Sequence, residues 1–210
     1  MRKLIPIIAI AIVVTGCLIY GQIDNSLHNT EIRSEKLKKA ENIPPELLEQ
    51  KKEGIAPGKY VIAFVKHVVD GDTIEVIYKK TEYDVRLLCI DTPESVKQGV
   101  SVQPYAKEAS NVTEKLVLKK KVRLEFDEGL KDKYGRLLAY VFLENGEFLN
   151  AMLVHNGLAR VEIVAPNFEN KDYFYELQET AIDEKTGLWA LPADRQPFVK
   201  DENGEYIPRY

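Results

Sequence analysis

The sequence predicts a mainly β fold with some α (α+β): a five-stranded OB-fold barrel carrying about three helices. Three observations carry that prediction. Short runs rich in Val, Ile, Tyr and Phe recur from Lys59 to Leu143, as they do in strands. One helical period, seen at Ala106, Ala109, Val112, Leu116 and Val117, falls between the third and fourth of these runs. Five short strands with a helix in that place are the order of an OB barrel.

Taken in order, "KYVIAFVKHVV" and "DTIEVIY" read as two strands joined near Asp70-Gly71. Glycine there accepts a positive φ, and Asp70 can bond its own backbone, so a tight turn is expected. "YDVRLLCID" is the third strand, and "QPYAKEASNVTEKLVLKK" the helix, with Lys119, Lys120 and Lys121 as a solvated end that suits the helix dipole. "KVRLEF" and "LLAYVFL" are the fourth and fifth strands. "FLNAMLVHNG" is a short helix ended by Gly157, and "LARVEIV" a brief extended piece. "NKDYFYELQETAIDEKTG" is a final helix ended by Gly187, its aromatics serving packing.

The barrel domain is thus assigned to residues 59–190, followed by a C-terminal tail, 191–210. Before it, residues 24–58 are polar and charged and read as a spacer. Residues 1–23 are different: Arg2 and Lys3, an apolar run from Leu4 to Val14, then Thr15-Gly16-Cys17. A basic start, an apolar middle and small residues at the boundary make an export signal. Small residues before Cys17 are similar to a bacterial lipobox, in which that cysteine is lipidated. The apolar character continues through "LIY", so an uncleaved anchor is the rival. Either reading puts the domain outside the cytoplasm, tethered to the membrane, in agreement with the basic residues at the inner end.

Composition narrows the chemistry. The net charge of −4 gives no global basic field, so any polyanion site must be local. There are two cysteines and three histidines. With Cys17 lipidated, Cys89 has no disulfide partner, and in "RLLCI" it reads as a buried, inert thiol. No His-Cys cluster points to zinc. No protein partner is evident, and a monomer is expected.

The residues that carry chemistry lie in "DGDT", "RLLCIDTPE" and "DKYGR". Asp72 follows a turn. Asp91 ends a strand, and Thr92 precedes Pro93, which forces extended geometry. Two carboxylates and a carbonyl are hard donors suited to Ca²⁺ or Mg²⁺, with water and a substrate phosphate completing the shell. Glu94 lies close enough to take a proton from an attacking water. Arg86, inside an apolar run, needs a partner. That partner is either Glu75 or Asp84 across the strands, or the site itself. Arg86 and Arg136 together would clamp a phosphodiester. Strict alternation sets Arg86 and Asp91 on opposite faces, so the site requires a bend before Asp91.

"VVDGDTIEV", "RLLCIDTPES", "DKYGRLLAYV", "LVHNGLARV" and the closing "GLW" resemble the staphylococcal nuclease (thermonuclease) family from about Lys59 to Trp189. The resemblance implies an SNase-like barrel in which Asp72, Asp91 and the Thr92 carbonyl hold Ca²⁺. It implies that Arg86 and Arg136 contact the scissile phosphate and that Glu94 is general base. Lys133 and Tyr134 match positions that hold a terminal phosphate of bound nucleotide. The implied reaction cleaves DNA and RNA with little sequence preference, leaving 3′-phosphate ends. The alternative is a catalytically silent barrel that binds nucleic acid or protein; such copies usually lose the carboxylates or arginines, and all are present here. One departure stands out. Where the best-known nucleases carry tyrosines over the base, this chain has "EIVAPN", with Glu162, Ile163 and Ala165. Glu162 would repel phosphates if it faced the site. The insert "SVKQGVSVQPY" is expected to be a flexible loop beside the site.

Overall fold

A computed structural model of the chain describes residues 59–95 and 101–209. Residues 1–58, which hold the predicted export signal, Cys17 and the predicted spacer, lie outside the described residues, as do residues 96–100 of the insert. No helix among the described residues is long and apolar enough to cross a membrane.

Five strands close a barrel in the order β1-β2-β3-β6-β5. They are β1 (Tyr60–Val68), β2 (Thr73–Tyr78), β3 (Thr81–Leu87), β5 (Lys121–Glu125) and β6 (Leu137–Phe142). All pair antiparallel except β3 with β6, which run parallel. Alternation explains β1: Val61, Ala63 and Val65 enter the core while Ile62 and Phe64 face out. Helix α1 (Ala106–Val117) precedes β5 and buries Ala106, Ala109, Thr113 and Val117, one stripe at helical spacing. The predicted barrel and its helix are therefore present.

The turn between β1 and β2 is tight for a different reason than a positive φ. Asp70 does cap it, its Oδ1 accepting the Asp72 N–H at 3.2 Å. Gly71, however, is not among the positive-φ glycines. A Cβ there would come within 2.8 Å of both Ala109 Cβ and Thr92 Cγ2. Glycine is needed because helix and loop press on the turn, and Thr113 Oγ1 donates to the Gly71 carbonyl at 2.7 Å.

The third predicted strand is really two. β3 stops at Leu87, Cys89 takes a left-handed backbone (φ 62), and β4 (Ile90–Asp91) leaves the barrel to pair with β7 (Arg160–Val161). A buried amide fastens this bend. Asn150, on the short helix α2 (Leu149–His155), accepts the Val141 N–H at 2.9 Å and donates to the Leu88 carbonyl at 2.8 Å. Cys89 is buried as expected, its thiol 3.4 Å from the Tyr140 hydroxyl and pushed by burial up to about 11.

The last helix, α3 (Lys171–Asp183), stops before Gly187, with Lys185 in the left-handed region (φ 52). Phe174 is fully buried and meets Tyr140 and Phe148, so these aromatics are core. Residues beyond 191 are more than a tail. They form a hairpin, β8 (Phe198–Lys200) with β9 (Tyr206–Pro208), around a second small core of Ala181, Leu188, Trp189 and Phe198.

Candidate active site

An open cleft of about 240 Å³ at the barrel surface is lined by Asp72, Arg86, Asp91, Thr92, Glu94, Tyr134 and Arg136, with Asp70, Thr73 and Pro93. These residues come from four stretches of chain. The β1–β2 turn delivers Asp72, and Leu87 N–H bonds the Asp72 carbonyl at 2.8 Å, tying that turn to β3. β3 delivers Arg86. The bend at Cys89 swings Asp91, Thr92 and Glu94 back over the same spot. The turn before β6 delivers Tyr134 and Arg136.

Arg86 is the hub. It does not pair with Glu75 or Asp84; those two face each other in the β2–β3 register, and Arg86 stands opposite Thr73. One guanidinium nitrogen meets Asp72 Oδ1. The other lies 3.0 Å from Asp91 Oδ1 and 3.2 Å from Glu162 Oε2. Burial works against its charge, but Asp72, Asp91 and Glu162 hold its pKa above the ordinary arginine value. Asp72 is nearly as enclosed. Its Oδ2 accepts the Thr92 N–H at 2.6 Å and the Thr92 hydroxyl at 2.9 Å. Burial penalises its charge too, yet Arg86 and Thr92 prevail and hold the carboxyl below its usual range.

The two remaining aspartates behave differently. Burial raises Asp91 to about 6, opposed by Arg86. Burial, helped by the charge on Asp72, raises Asp70 to about 7. Burial is the main cause of both upward shifts, and the neighbouring negative charge of Asp72 adds to each.

Arg136 is oriented by its own turn. Asp132 Oδ2 accepts from Arg136 Nε at 2.7 Å, while Asp132 Oδ1 accepts the Tyr134 and Arg136 N–H groups. The Arg136 guanidinium lies 5.6 Å from the centre of the exposed Tyr134 ring. Lys133 is exposed, its ammonium 5.0 Å from the centre of the same ring, and does not line the cleft.

Two more residues complete the site: Arg160, which the sequence pattern did not single out, and Glu162, which it named as repelling phosphates if it faced the site. Arg160, only 7% exposed, donates from Nε to Asp91 Oδ2 at 2.9 Å. Glu162 does face the site, bridging the two arginines: Oε1 is 2.7 Å from Arg160 and Oε2 is 3.2 Å from Arg86. The signal for Arg160 was present in "LARV", an arginine inside an apolar run, as for Arg86.

A barrel with a cleft of carboxylates and arginines fed by two strands, a bend and two turns has the layout of a phosphodiester-binding enzyme site. Residues 84–191 match the family model described as "Staphylococcal nuclease homologue", and the chain belongs to that family. It is 44% identical over 125 residues to the thermonuclease of Staphylococcus intermedius, covering 60% of this chain and 74% of that protein. It is 42% identical over 134 residues to endonuclease YncB of Bacillus subtilis (strain 168), covering 63% of each. The SPbeta prophage-derived endonuclease YokF of the same strain is 46% identical over 124 residues, 58% of this chain and 42% of that protein.

Proposed function

We propose that this SNase-like enzyme is a calcium-dependent endonuclease that cleaves DNA, RNA or both with little sequence preference, leaving 3′-phosphate ends. Membership of the family supports nuclease chemistry, a phosphodiester hydrolysis. One observation carries the finer reading: Asp72 and Asp91, from separate segments, converge on a single positive centre in a cleft that also holds Glu94 and Arg136.

That convergence is the fit test for a metal. Two carboxylates aimed at one cation, beside a backbone segment at Thr92 that can add its carbonyl, form a hard-oxygen donor set. When bound, Ca²⁺ would supply the charge that polarises the scissile phosphate. The protein's own residues do the rest. Arg86 and Arg136 present planar forks to the phosphate oxygens and stabilise the charge that grows on them. Glu94 accepts a proton from water as its oxygen attacks phosphorus. The bond from phosphorus to the 5′ oxygen breaks, leaving a 3′-phosphate and a 5′-hydroxyl. Lys133 and Tyr134, next to Arg136, bind a terminal phosphate of the substrate. A substrate phosphate must take Arg86 from Glu162, so the free site holds a carboxylate where the phosphate will bind.

The test is cleavage of single-stranded DNA by the purified protein, in Ca²⁺ and in a Ca²⁺ chelator, with the product ends mapped. The expected result is 3′-phosphate ends in Ca²⁺ and no cleavage in chelator. Undiminished cleavage in chelator, or 5′-phosphate ends, would contradict the reading.

We further propose that the enzyme acts as a monomer outside the cytoplasm, held at the membrane through Cys17 or an uncleaved N-terminal helix. Mass spectrometry of the N-terminal peptide from membranes distinguishes these. Recovery of the whole protein from the medium, without lipid or anchor, would contradict tethering.

A further inference from the structure

The β8–β9 hairpin lies beyond the residues that match the family, and the reaction above makes no use of it. Arg209, the residue that follows β9, nevertheless reaches the cleft through one intermediary. Gln103 Oε1 accepts the Glu94 N–H at 2.7 Å, and Gln103 Nε2 donates to the Arg209 carbonyl at 2.7 Å. The backbones of Gln103 and Glu94 are joined as well, Gln103 N–H to the Glu94 carbonyl at 3.0 Å. An N–H faces one side of the Gln103 amide and a C=O the other. Only a side chain with both an acceptor and a donor can span that gap, and those partners fix which way the amide points.

The far end of the bridge is itself held. Arg209 N–H bonds the Pro197 carbonyl at 2.8 Å, and its guanidinium donates to the Gln196 and Ala193 carbonyls at 3.2 and 3.0 Å. The hairpin is seated on the body by Phe198, 1% exposed, and by Tyr206, whose ring lies 4.7 Å from that of Trp189. Phe198 also underlies the site from a second direction. The Arg160 guanidinium, which holds Asp91, lies 5.4 Å from the centre of its ring, within range of a cation–π contact.

We propose that the C-terminal hairpin is a brace for the active site, in which Gln103, held by the Arg209 carbonyl, is a positioning residue for Glu94. The inference rests on the general-base role of Glu94 stated above. Glu94 sits on a loop three residues past β4, and a base on a loop loses rate steeply when its placement drifts. Gln103 touches the backbone of that loop and acts only through it.

The test is steady-state kinetics of the full chain with Gln103→Leu, Arg209→Ala, Glu94→Gln and the double variant Gln103→Leu/Glu94→Gln, alongside melting temperatures. Gln103→Leu is expected to lower kcat about ten-fold with KM within about two-fold. Arg209→Ala, which only loosens the far anchor, is expected to lower kcat about three-fold, and it carries the test if Gln103→Leu does not fold. The double variant is expected to be no slower than Glu94→Gln alone, because the brace has nothing left to position. A Gln103→Leu rate equal to wild type beside a slow Glu94→Gln would overturn the brace and leave the base in place. Effects that multiply in the double variant would also overturn it. A wild-type rate for Glu94→Gln would remove the base itself, and the brace with it.

Discussion

Arg86 and Asp91 stand five residues apart in sequence, and Nη2 of the one lies 3.0 Å from Oδ1 of the other. In an unbroken strand they would face opposite sides of the sheet. The left-handed backbone at Cys89, with β4 turning out of the barrel toward β7, is what brings them together. The bend gives one guanidinium two carboxylates, Asp72 and Asp91.

Removing that guanidinium tests whether the cradle suits a cation. Arg86→Gln leaves the buried Asp72 without its charged partner, which costs about 3–5 kcal/mol of stability. A divalent cation filling the same place would return part of it. Melting curves of Arg86→Gln are therefore expected to rise in Ca²⁺ relative to chelator by more than those of the wild type. Equal shifts in both proteins would contradict a cation site between Asp72 and Asp91. The more conservative Arg86→Lys keeps the charge and loses the fork, and kcat is expected to fall about 10²–10³-fold.

Glu162 pairs with Arg86, and in the proposed reaction a substrate phosphate has to compete with it for that guanidinium. In Glu162→Gln that competitor is gone, although an amide oxygen remains to meet Arg160. The expected outcome is a KM lowered about three- to ten-fold with kcat within about three-fold, since the carboxylate opposes binding and not the chemical step. An unchanged or higher KM would show that Glu162 serves Arg160 and Asp91 instead.

The bend at Leu88 and Cys89 is secured by Asn150. Asn150→Leu keeps the volume and leaves the Val141 N–H and the Leu88 carbonyl without their side-chain partner. A loss of about 2–5 kcal/mol in urea unfolding is expected, with a lower kcat as Asp91 shifts. A variant as stable as wild type would contradict the fastening role.

Asp132 gives a pH signature. Burial opposes its charge, but hydrogen bonds from Arg136 and from the Tyr134 and Arg136 backbone hold its carboxyl below the ordinary 3.8. A carboxyl lowered in the folded state stabilises the fold above its unfolded value, and that contribution is lost as pH falls through the folded value. Asp132→Asn is therefore expected to cost about 0.5–1 kcal/mol at pH 7, the range of a partly exposed pair. The gap from wild type should close once the pH is taken below 3.8. A gap that stays constant with pH would assign the cost to the turn's shape and not to the charge.

Much of this was legible in the sequence because strand runs and the α1 period are local patterns. "DGDT", "RLLCIDTPE" and "DKYGR" held all ten of the residues that line the cleft. The bend was legible only as a requirement. Nothing in "RLLCID" says that a cysteine will adopt a left-handed backbone, because Asn150, some sixty residues away, secures the loop from across the fold. Arg160 escaped for the same reason, since its partner Asp91 is distant in sequence, and the facing of Glu162 was legible only as a condition. The hairpin escaped because "FVK" and "YIP" are too short to register as strands.

The most direct measurement is a crystal structure with Ca²⁺ and a 5′-phosphorylated nucleotide. The account predicts a calcium ion about 2.3–2.6 Å from oxygens of Asp72, Asp91 and Thr92, with Arg86 and Arg136 turned onto the phosphate and Glu162 released from Arg86. A nucleotide bound elsewhere, or bound while Arg86 stays on both aspartates and no ion lies between them, would contradict it.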